Sequence, residues 1–283
     1  MMNHSFSDRF HAAISADGIK QYLTKKDKTI HCFNALDSTN TALKKMAQEG
    51  ASEGTVLITE MQTAGRGRLG KTFFSPKGCG IYFSLLLRPE CKSQDACLIT
   101  IGAAIAVRRA LLKIFKLDTQ IKWVNDIYYK GKKLCGILTE SSIDAFSDSL
   151  HFAVLGIGLN IKTPTEGYPE EFAFKTTNLT ETGVFLSNDF KNQLIGEILN
   201  QFDTIYEQLE QKVYLEEYKA ASCLLGQKIN ILSGQYAGEA TALDIDTDAN
   251  LVVRLPDGSI KKLSSGDVSI ALLPENLRSK GSI

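Results

Sequence analysis

Residues 65–72 read Gly65-Arg66-Gly67-Arg68-Leu69-Gly70-Lys71-Thr72. Glycines let backbone N–H groups approach an anion, and arginine forks grip carboxylate or phosphate through two hydrogen bonds. The octet satisfies both G-x-x-x-x-G-K-[ST], a nucleoside-triphosphate loop, and G-x-G-x-x-G, a dinucleotide fingerprint. Both patterns require a strand before the loop and a helix after it. The β-branched run Thr55-Val56-Leu57-Ile58-Thr59 supplies the strand. The helix is not predicted, because Phe73 to Gly80 carries a Pro and two Gly and leads into a second strand, Ile81 to Leu87. The segment is a glycine-rich loop between strands, read as an anion-binding loop in preference to a solvated surface hairpin. A protein-kinase glycine loop also lies between strands, but no V-A-I-K lysine, H-R-D or D-F-G accompanies it.

Three further segments carry polar groups suited to the same chemistry. In Lys122-Trp123-Val124-Asn125-Asp126 a lysine closes a strand and an Asn-Asp turn follows. That arrangement could set a cation near phosphate and a carboxylate near Mg²⁺, or it could be a core Trp beside ordinary turn residues. Lys133 follows a lysine hairpin and enters the apolar run Leu134 to Leu138, so its ammonium could be aimed at a ligand. Asp37-Ser38-Thr39-Asn40 reads first as a helix N-cap. Gly156 and Gly158 interrupt the strand His151–Ile161, and interior strand glycines mark a bulge or a ligand pressed against the backbone.

These residues must be positioned by strands and helices that do not alternate as βαβ units, which predicts an α+β fold with a mixed sheet. Ile30 to Phe33 is a strand, and a helix follows from Ser38 or Thr39 to Gly50. The apolar run Ala96 to Phe115 is a buried helix. Strands are expected at 120–123, 127–129 and 133–140, with an irregular connection over 168–184. Residues 186–188 cap a long amphipathic helix, and a further helix covers about 213–222. From Gly226 the pattern becomes four short strands, at 228–232, 238–245, 251–255 and 259–263, the size of a small barrel. The division is an N-terminal extension over 1–30, a catalytic domain over 31–223 and a small domain over 224–283.

The chain has 283 residues, with 32 Lys plus Arg against 32 Asp plus Glu. Zero net charge argues against a dedicated nucleic-acid binder. The six cysteines, Cys32, Cys79, Cys91, Cys97, Cys135 and Cys223, show no C-x-x-C spacing, so they read as reduced thiols of a cytoplasmic protein without structural zinc. No apolar stretch suits a signal peptide, and Arg108 and Arg109 break the one long apolar helix, so no membrane span is expected. Two glycosylation sequons, at Asn3 and Asn178, are taken as chance.

Taken together, the motifs at 37–40, 62–68, 122–126, 133–140 and 156–160 resemble, in order and spacing, those of biotin protein ligases, and the C-terminal strands are similar to that family's small SH3-like domain. The resemblance runs from about residue 30 to the C-terminus. It implies a class II aminoacyl-tRNA synthetase/biotin ligase-like catalytic domain that activates biotin with ATP and Mg²⁺ to biotinyl-5′-AMP. The biotinyl group then moves to a lysine of a biotin carboxyl carrier domain. Biotin would meet Ser38, Thr39, Gln62, Gly65, Arg66, Arg68, Lys133, Gly136 and Gly158. ATP would meet Arg66, Arg68, Phe73, Lys122, Asn125, Asp126, Lys133 and Asn160, with Asp126 near Mg²⁺. Lys133, Arg66 and Arg68 would carry the catalysis, and the Gly/Arg loop would close as a lid, mobile without ligand.

The sequence departs from the family at two places. Phe73 and Phe74 occupy the stretch where many relatives carry a tryptophan, and Val124 stands where proline is common. Only 36 residues precede Asp37, too few for the N-terminal DNA-binding domain of some members. The resemblance therefore implies an enzyme-only form with no DNA partner, and it leaves a homodimer open. The rivals are a lipoate or octanoate ligase of the same fold, a DNA-binding biotin sensor, and a nucleotide-binding scaffold without catalysis.

Overall fold

The computed structural model describes residues 12–143, 149–264 and 270–272; Asn3 of the first sequon lies outside them. The chain opens with a short helix α1 (Ala16–Lys20), capped by the Ser15 hydroxyl, which accepts from Gly18 N at 3.0 Å. Then come β1 (Thr29–Phe33), α2 (Thr39–Gln48), β2 (Thr55–Thr59) and β3 (Gly80–Leu87). The predicted buried helix is α3 (Ala96–Phe115). It is followed by β4 (Gln120–Lys122), β5 (Asp126–Tyr129), β6 (Lys132–Ile143) and β7 (Leu150–Asn160). The connection over 168–184 contains one turn of helix, α4 (Glu170–Ala173), ahead of α5 (Phe190–Tyr206) and α6 (Leu215–Ala221).

The first seven strands form one sheet in the order β1-β2-β3-β7-β6-β5-β4, with β1 and β2 parallel and every other neighbour pair antiparallel. This is the mixed sheet expected of the α+β class. Side chains alternate across a strand, and the two faces pack on different helices. Ile81, Phe83, Leu85 and Leu87 of β3 and Ala153, Leu155, Ile157 and Leu159 of β7 join the large core with α3 and α5. Leu86, Phe152 and Val154 face the other way, onto Leu43 and Ala47 of α2. Coverage on both faces explains why β2 and β3 are buried throughout instead of alternating with polar residues.

Three differences from the sequence reading have physical causes. The cap of α5 is Asp189, not Leu186 to Asn188, and its carboxylate is used by tertiary partners: Tyr22 Oη and Gln21 Nε2 donate to Oδ2 at 2.9 and 3.0 Å. The hairpin of β6 and β7 is longer than predicted, because its polar outer half stays paired, Ser141 with Ala153 and Ser142 with Phe152. Among the described residues the C-terminal sheet has five strands, β8 (Lys228–Ile231), β9 (Gly238–Ile245), β10 (Leu251–Arg254), β11 (Ile260–Leu263) and β12 (Ile270–Leu272), in the order β11-β10-β9-β8-β12. The fifth, only three residues long, gives no alternation to read.

This small antiparallel domain is tied to the large one. Trp123 Nε1 donates to Ala249 O at 2.9 Å, and Lys212 Nζ donates to Thr247 O at 2.7 Å. None of the six cysteines forms a disulfide. Among the described residues no helix is long and apolar enough to cross a membrane. Asn178 of the second sequon is fully buried, with its amide donating to Thr163 and Glu181.

Candidate active site

The face of the sheet that carries α2 is open beyond the end of that helix. Gly136 of β6 pairs directly with Gly158 of β7, and Leu138 pairs with Gly156. The β6–β7 register is unbroken at these glycines and shifts only at Ser142/Ile143. They therefore serve close approach, not a bulge. A Cβ on Gly158 would sit 2.5 Å from Phe73 Cε1, and one on Gly156 only 2.1 Å from Asn40 Oδ1. The missing side chains leave the floor of a cavity of about 750 Å³, well within the size range of small-molecule sites.

The Gly/Arg segment lies between β2 and β3 as a small hairpin of its own. Phe73 N donates to Gly65 O at 2.9 Å, Arg66 bridges Thr72, and Gly67 N donates to Lys71 O at 2.7 Å. Its tip turns through Leu69 and Gly70, both at positive φ (55° and 73°). No helix follows, so the match to a G-K-T phosphate loop is accidental. Arg66 Nη2 pairs with Glu140 Oε1 at 3.1 Å, and Arg68 Nη1 donates to Asn125 Oδ1 at 3.1 Å. Burial pulls the Arg68 guanidinium below its usual range, but arginine remains charged regardless.

At one end of the cavity the Thr39 N–H donates to Gln62 Oε1 at 2.9 Å, and Gln62 Nε2 donates to Ser75 Oγ at 2.9 Å. Ser38 caps α2, its hydroxyl accepting from Thr41 N. The capping reading of that motif therefore holds for Ser38, while Thr39 and Asn40 turn to the sheet. At the other end Asn125 Nδ2 donates to Ile137 O at 2.7 Å, fixing the turn before β5. Lys133 Nζ lies 2.7 Å from Asp126 Oδ1. That buried oxygen has no hydrogen bond of good geometry, so its pairing with Lys133 is Coulombic. Lys133 Nζ also stands 5.6 Å above the Phe73 ring. Lys122 is pulled below its ordinary 10.5 chiefly by burial, with Asp126 opposing and Lys133 adding to the shift.

Of the residues singled out from sequence, Ser38, Thr39, Gln62, Arg66, Arg68, Phe73, Lys122, Asn125, Asp126, Lys133, Gly136 and Gly158 all line this one cavity. Gly65 and Asn160 do not. Gly65 sits under the hairpin, where a Cβ would strike Phe73 O at 2.3 Å. Asn160 shares the face of Gly158, but its amide donates to Thr177 O at 3.1 Å. Lys175 and Thr176, joined to β6 through the Lys133–Thr176 bridge, and Leu232 and Ile270 of the small domain also line the cavity. Sequence reasoning missed these four, because no local pattern marks a contact made from an irregular connection, as at Lys175 and Thr176, or across domains, as at Leu232 and Ile270.

Residues 32–160 match the Biotin/lipoate A/B protein ligase family, and residues 224–270 match the Biotin protein ligase C terminal domain. A bifunctional ligase/repressor BirA of Bacillus spizizenii is 32% identical over 84% of this chain and 72% of that protein. The chain belongs to the biotin protein ligase family. A biotin–[acetyl-CoA-carboxylase] ligase of Mycobacterium tuberculosis is 30% identical over 82% of this chain and 85% of that protein. Among solved structures, the biotin protein ligase of Aquifex aeolicus in complex with biotin and ATP aligns with TM-score 0.72 and 27% identity, over 87% of this chain and all of that one. The C-terminal domain match and the names of these relatives favour biotin over the lipoate reading, which the broader biotin/lipoate family model leaves open.

Proposed function

We propose that this biotin–protein ligase condenses biotin with ATP to biotinyl-5′-AMP and then transfers the biotinyl group to a lysine of a biotin carboxyl carrier domain. The observation that carries the proposal is the two-ended cavity. Neutral hydrogen-bonding groups, Ser38, Thr39 and Gln62, stand at one end, and Arg68, Lys122, Asn125 and Lys133 stand at the other. The first end suits the ureido ring of biotin, and the second suits phosphates. Gly136 and Gly158 line the cavity between them, with the Phe73 ring lying against their backbone, and an acyl chain would share that strip with the ring.

In the first step a biotin carboxylate oxygen bonds to the α-phosphorus of ATP, and the bond to pyrophosphate breaks. Like charges 4 Å apart cost about 4 kcal/mol at an effective dielectric of 20. Arg66, Arg68 and Lys133 offset this and stabilise the charge that builds on the phosphate oxygens. In the second step the neutral amine of the carrier lysine attacks the anhydride carbonyl. A C–N bond forms, the C–O bond to AMP breaks, and the amine proton is shed to solvent. Lys133 polarises the carbonyl or steadies the departing AMP. Because water destroys the adenylate, the Gly/Arg hairpin acts as a lid over it.

Asp126 is the residue that would hold a Mg²⁺ ion, which is commonly bound through one or two carboxylates. Asp126 Oδ1 is buried without a well-formed hydrogen bond, and among the described residues no cluster of three or more metal-ligating side chains offers an all-protein cage. Held by Asp126, such an ion would supply positive charge to the phosphates.

Biotin-dependent exchange of labelled pyrophosphate into ATP tests the proposal. Exchange should require biotin and be lost in Lys133→Ala and Arg66→Ala. Exchange with lipoate in place of biotin would refute the substrate, and wild-type exchange in both variants would refute the roles.

A further inference from the structure

Glu140 was read only as the end of a motif, yet in the structure it stands where the lid meets the sheet. Its side chain is 16% exposed, and each of its oxygens has a different partner. Oε1 pairs with Arg66 Nη2 at 3.1 Å, and Oε2 accepts from Asn40 Nδ2 at 3.0 Å. Beyond Asn40 the contacts continue under the cavity. Ser84 Oγ lies 2.6 Å from Asn40 Oδ1 and 2.7 Å from Thr39 Oγ1. Thr39 N donates to Gln62, Gln62 Nε2 donates to Ser75 Oγ, and the Ser75 hydroxyl donates to Phe73 O at 2.9 Å. The chain of contacts begins on one arm of the hairpin, at Arg66, and ends on the other, at Phe73.

The donors along it can be ordered. A carboxylate only accepts, so Asn40 must present its NH₂ to Glu140 and its oxygen to Ser84. The Ser84 proton is shared between Asn40 Oδ1 and the Thr39 hydroxyl, which in turn donates to Gln62 Oε1 at 3.2 Å. Asn40, Ser84, Thr39 and Ser75 are all buried, so no water competes and the orientation of each group fixes the next.

We propose that Glu140 is a positioning residue: a latch that holds the Gly/Arg hairpin closed through Arg66 and couples it to the Thr39–Gln62 end of the cavity. The latch rests on the biotin-activating reading above. It does not take Arg66 away from substrate, because Nη2 alone is engaged and a guanidinium has five N–H donors. A ligand that hydrogen-bonds Thr39 or Gln62 acts on the same chain of contacts that holds the lid.

Glu140→Gln tests it, since the amide oxygen can still accept from Asn40 while the charge that holds Arg66 is gone. Glu140→Asp keeps the charge and shortens the reach, and it serves if the first variant folds poorly. Two readouts apply to the full chain. Trypsin cleavage at Arg66, Arg68 and Lys71 reports hairpin opening with or without ligand. AMP released per biotinyl group delivered to a carrier domain reports adenylate escape. Both variants should raise cleavage and the AMP ratio on the order of fivefold, in keeping with a partly exposed ion pair, while kcat for pyrophosphate exchange changes less than about twofold.

Wild-type values of both readouts in either folded variant overturn the latch. So does a lowered melting temperature with an unchanged AMP ratio, which would make Glu140 merely structural. If the wild-type protein shows no biotin-dependent exchange, the functional reading fails. Cleavage of the ligand-free proteins still decides the latch in that case.

Discussion

Gly156→Ala is the substitution whose cost the structure fixes most closely. A methyl at this position would lie 2.1 Å from Asn40 Oδ1, 2.9 Å from its Cγ and 3.2 Å from its Nδ2. Ordinary contact begins near 3.4 Å, so the amide must retreat by about 1.3 Å. Asn40 cannot do this alone, because its oxygen takes the Ser84 proton at 2.6 Å and its nitrogen donates to Glu140 at 3.0 Å. Both bonds are lost, and Ser84, fully buried, keeps only its contact with the Thr39 hydroxyl. The neutral bond is worth about 1 kcal/mol and the one to the carboxylate about 1.5–3 kcal/mol, so the variant should lose roughly 2.5–4 kcal/mol. Removing Asn40 should cancel the effect. In an Asn40→Ala background the methyl fills vacated space, and strand alanine is favoured over glycine by about 0.5–1 kcal/mol. The same substitution should therefore change sign. Urea unfolding of the wild type, both single variants and the double variant gives the coupling directly. An equal cost of Gly156→Ala in both backgrounds would refute the account of these glycines as spaces filled by particular polar side chains.

Lys122 predicts a pH effect. Its ammonium is weakened chiefly by burial, so binding of ATP should fall as pH rises through a value below the ordinary 10.5. The KM for ATP should rise on that alkaline limb, and Lys122→Arg, which stays charged, should flatten it. Between the lowered value and 10.5 the unfolded chain holds more protons than the folded one, so Lys122 should make stability rise with pH across that window. Lys28, buried and 2.9 Å from Asp203, forms a pair whose rupture leaves a carboxylate stranded. Lys28→Met should cost about 3–5 kcal/mol by urea unfolding, and the double change Lys28→Met with Asp203→Leu much less. Trp123→Phe removes the donor to Ala249 O, which ties the small domain to the cavity wall, and should cost about 1–3 kcal/mol by the same measurement.

Where the local pattern and the packing agree, the sequence was easy to read. Helix α3 is almost wholly apolar from Leu98 to Val107 because every residue of that stretch is buried, and its limits came out as predicted. Strand β9 alternates between buried and accessible positions along most of its length, and its limits did too. Helix α5 was misread at its start because its first residues answer to Gln21 and Tyr22, some 170 positions away. Strand β12 was missed because three residues carry no period and take their shape from pairing with β8.

The candidate site divides the same way. Residue types announced the chemistry, since Gly/Arg, Lys-Trp-x-Asn-Asp and Lys133 each bring groups an acid and a nucleotide would need. Sequence could not say which of these groups depend on one another. Asn40 reads as part of a helix cap, three residues from nothing but its own helix. In the fold it meets Ser84, 44 positions on, and Glu140, 100 positions on. The glycine that admits it, Gly156, is visible in the sequence as a gap in a strand, but the side chain that occupies the gap is not. A strand glycine states that something comes close. Only the fold decides whether that neighbour is a ring and an ammonium of the cavity wall, Phe73 and Lys133 at Gly136 and Phe73 at Gly158, or the buried amide of Asn40, as at Gly156.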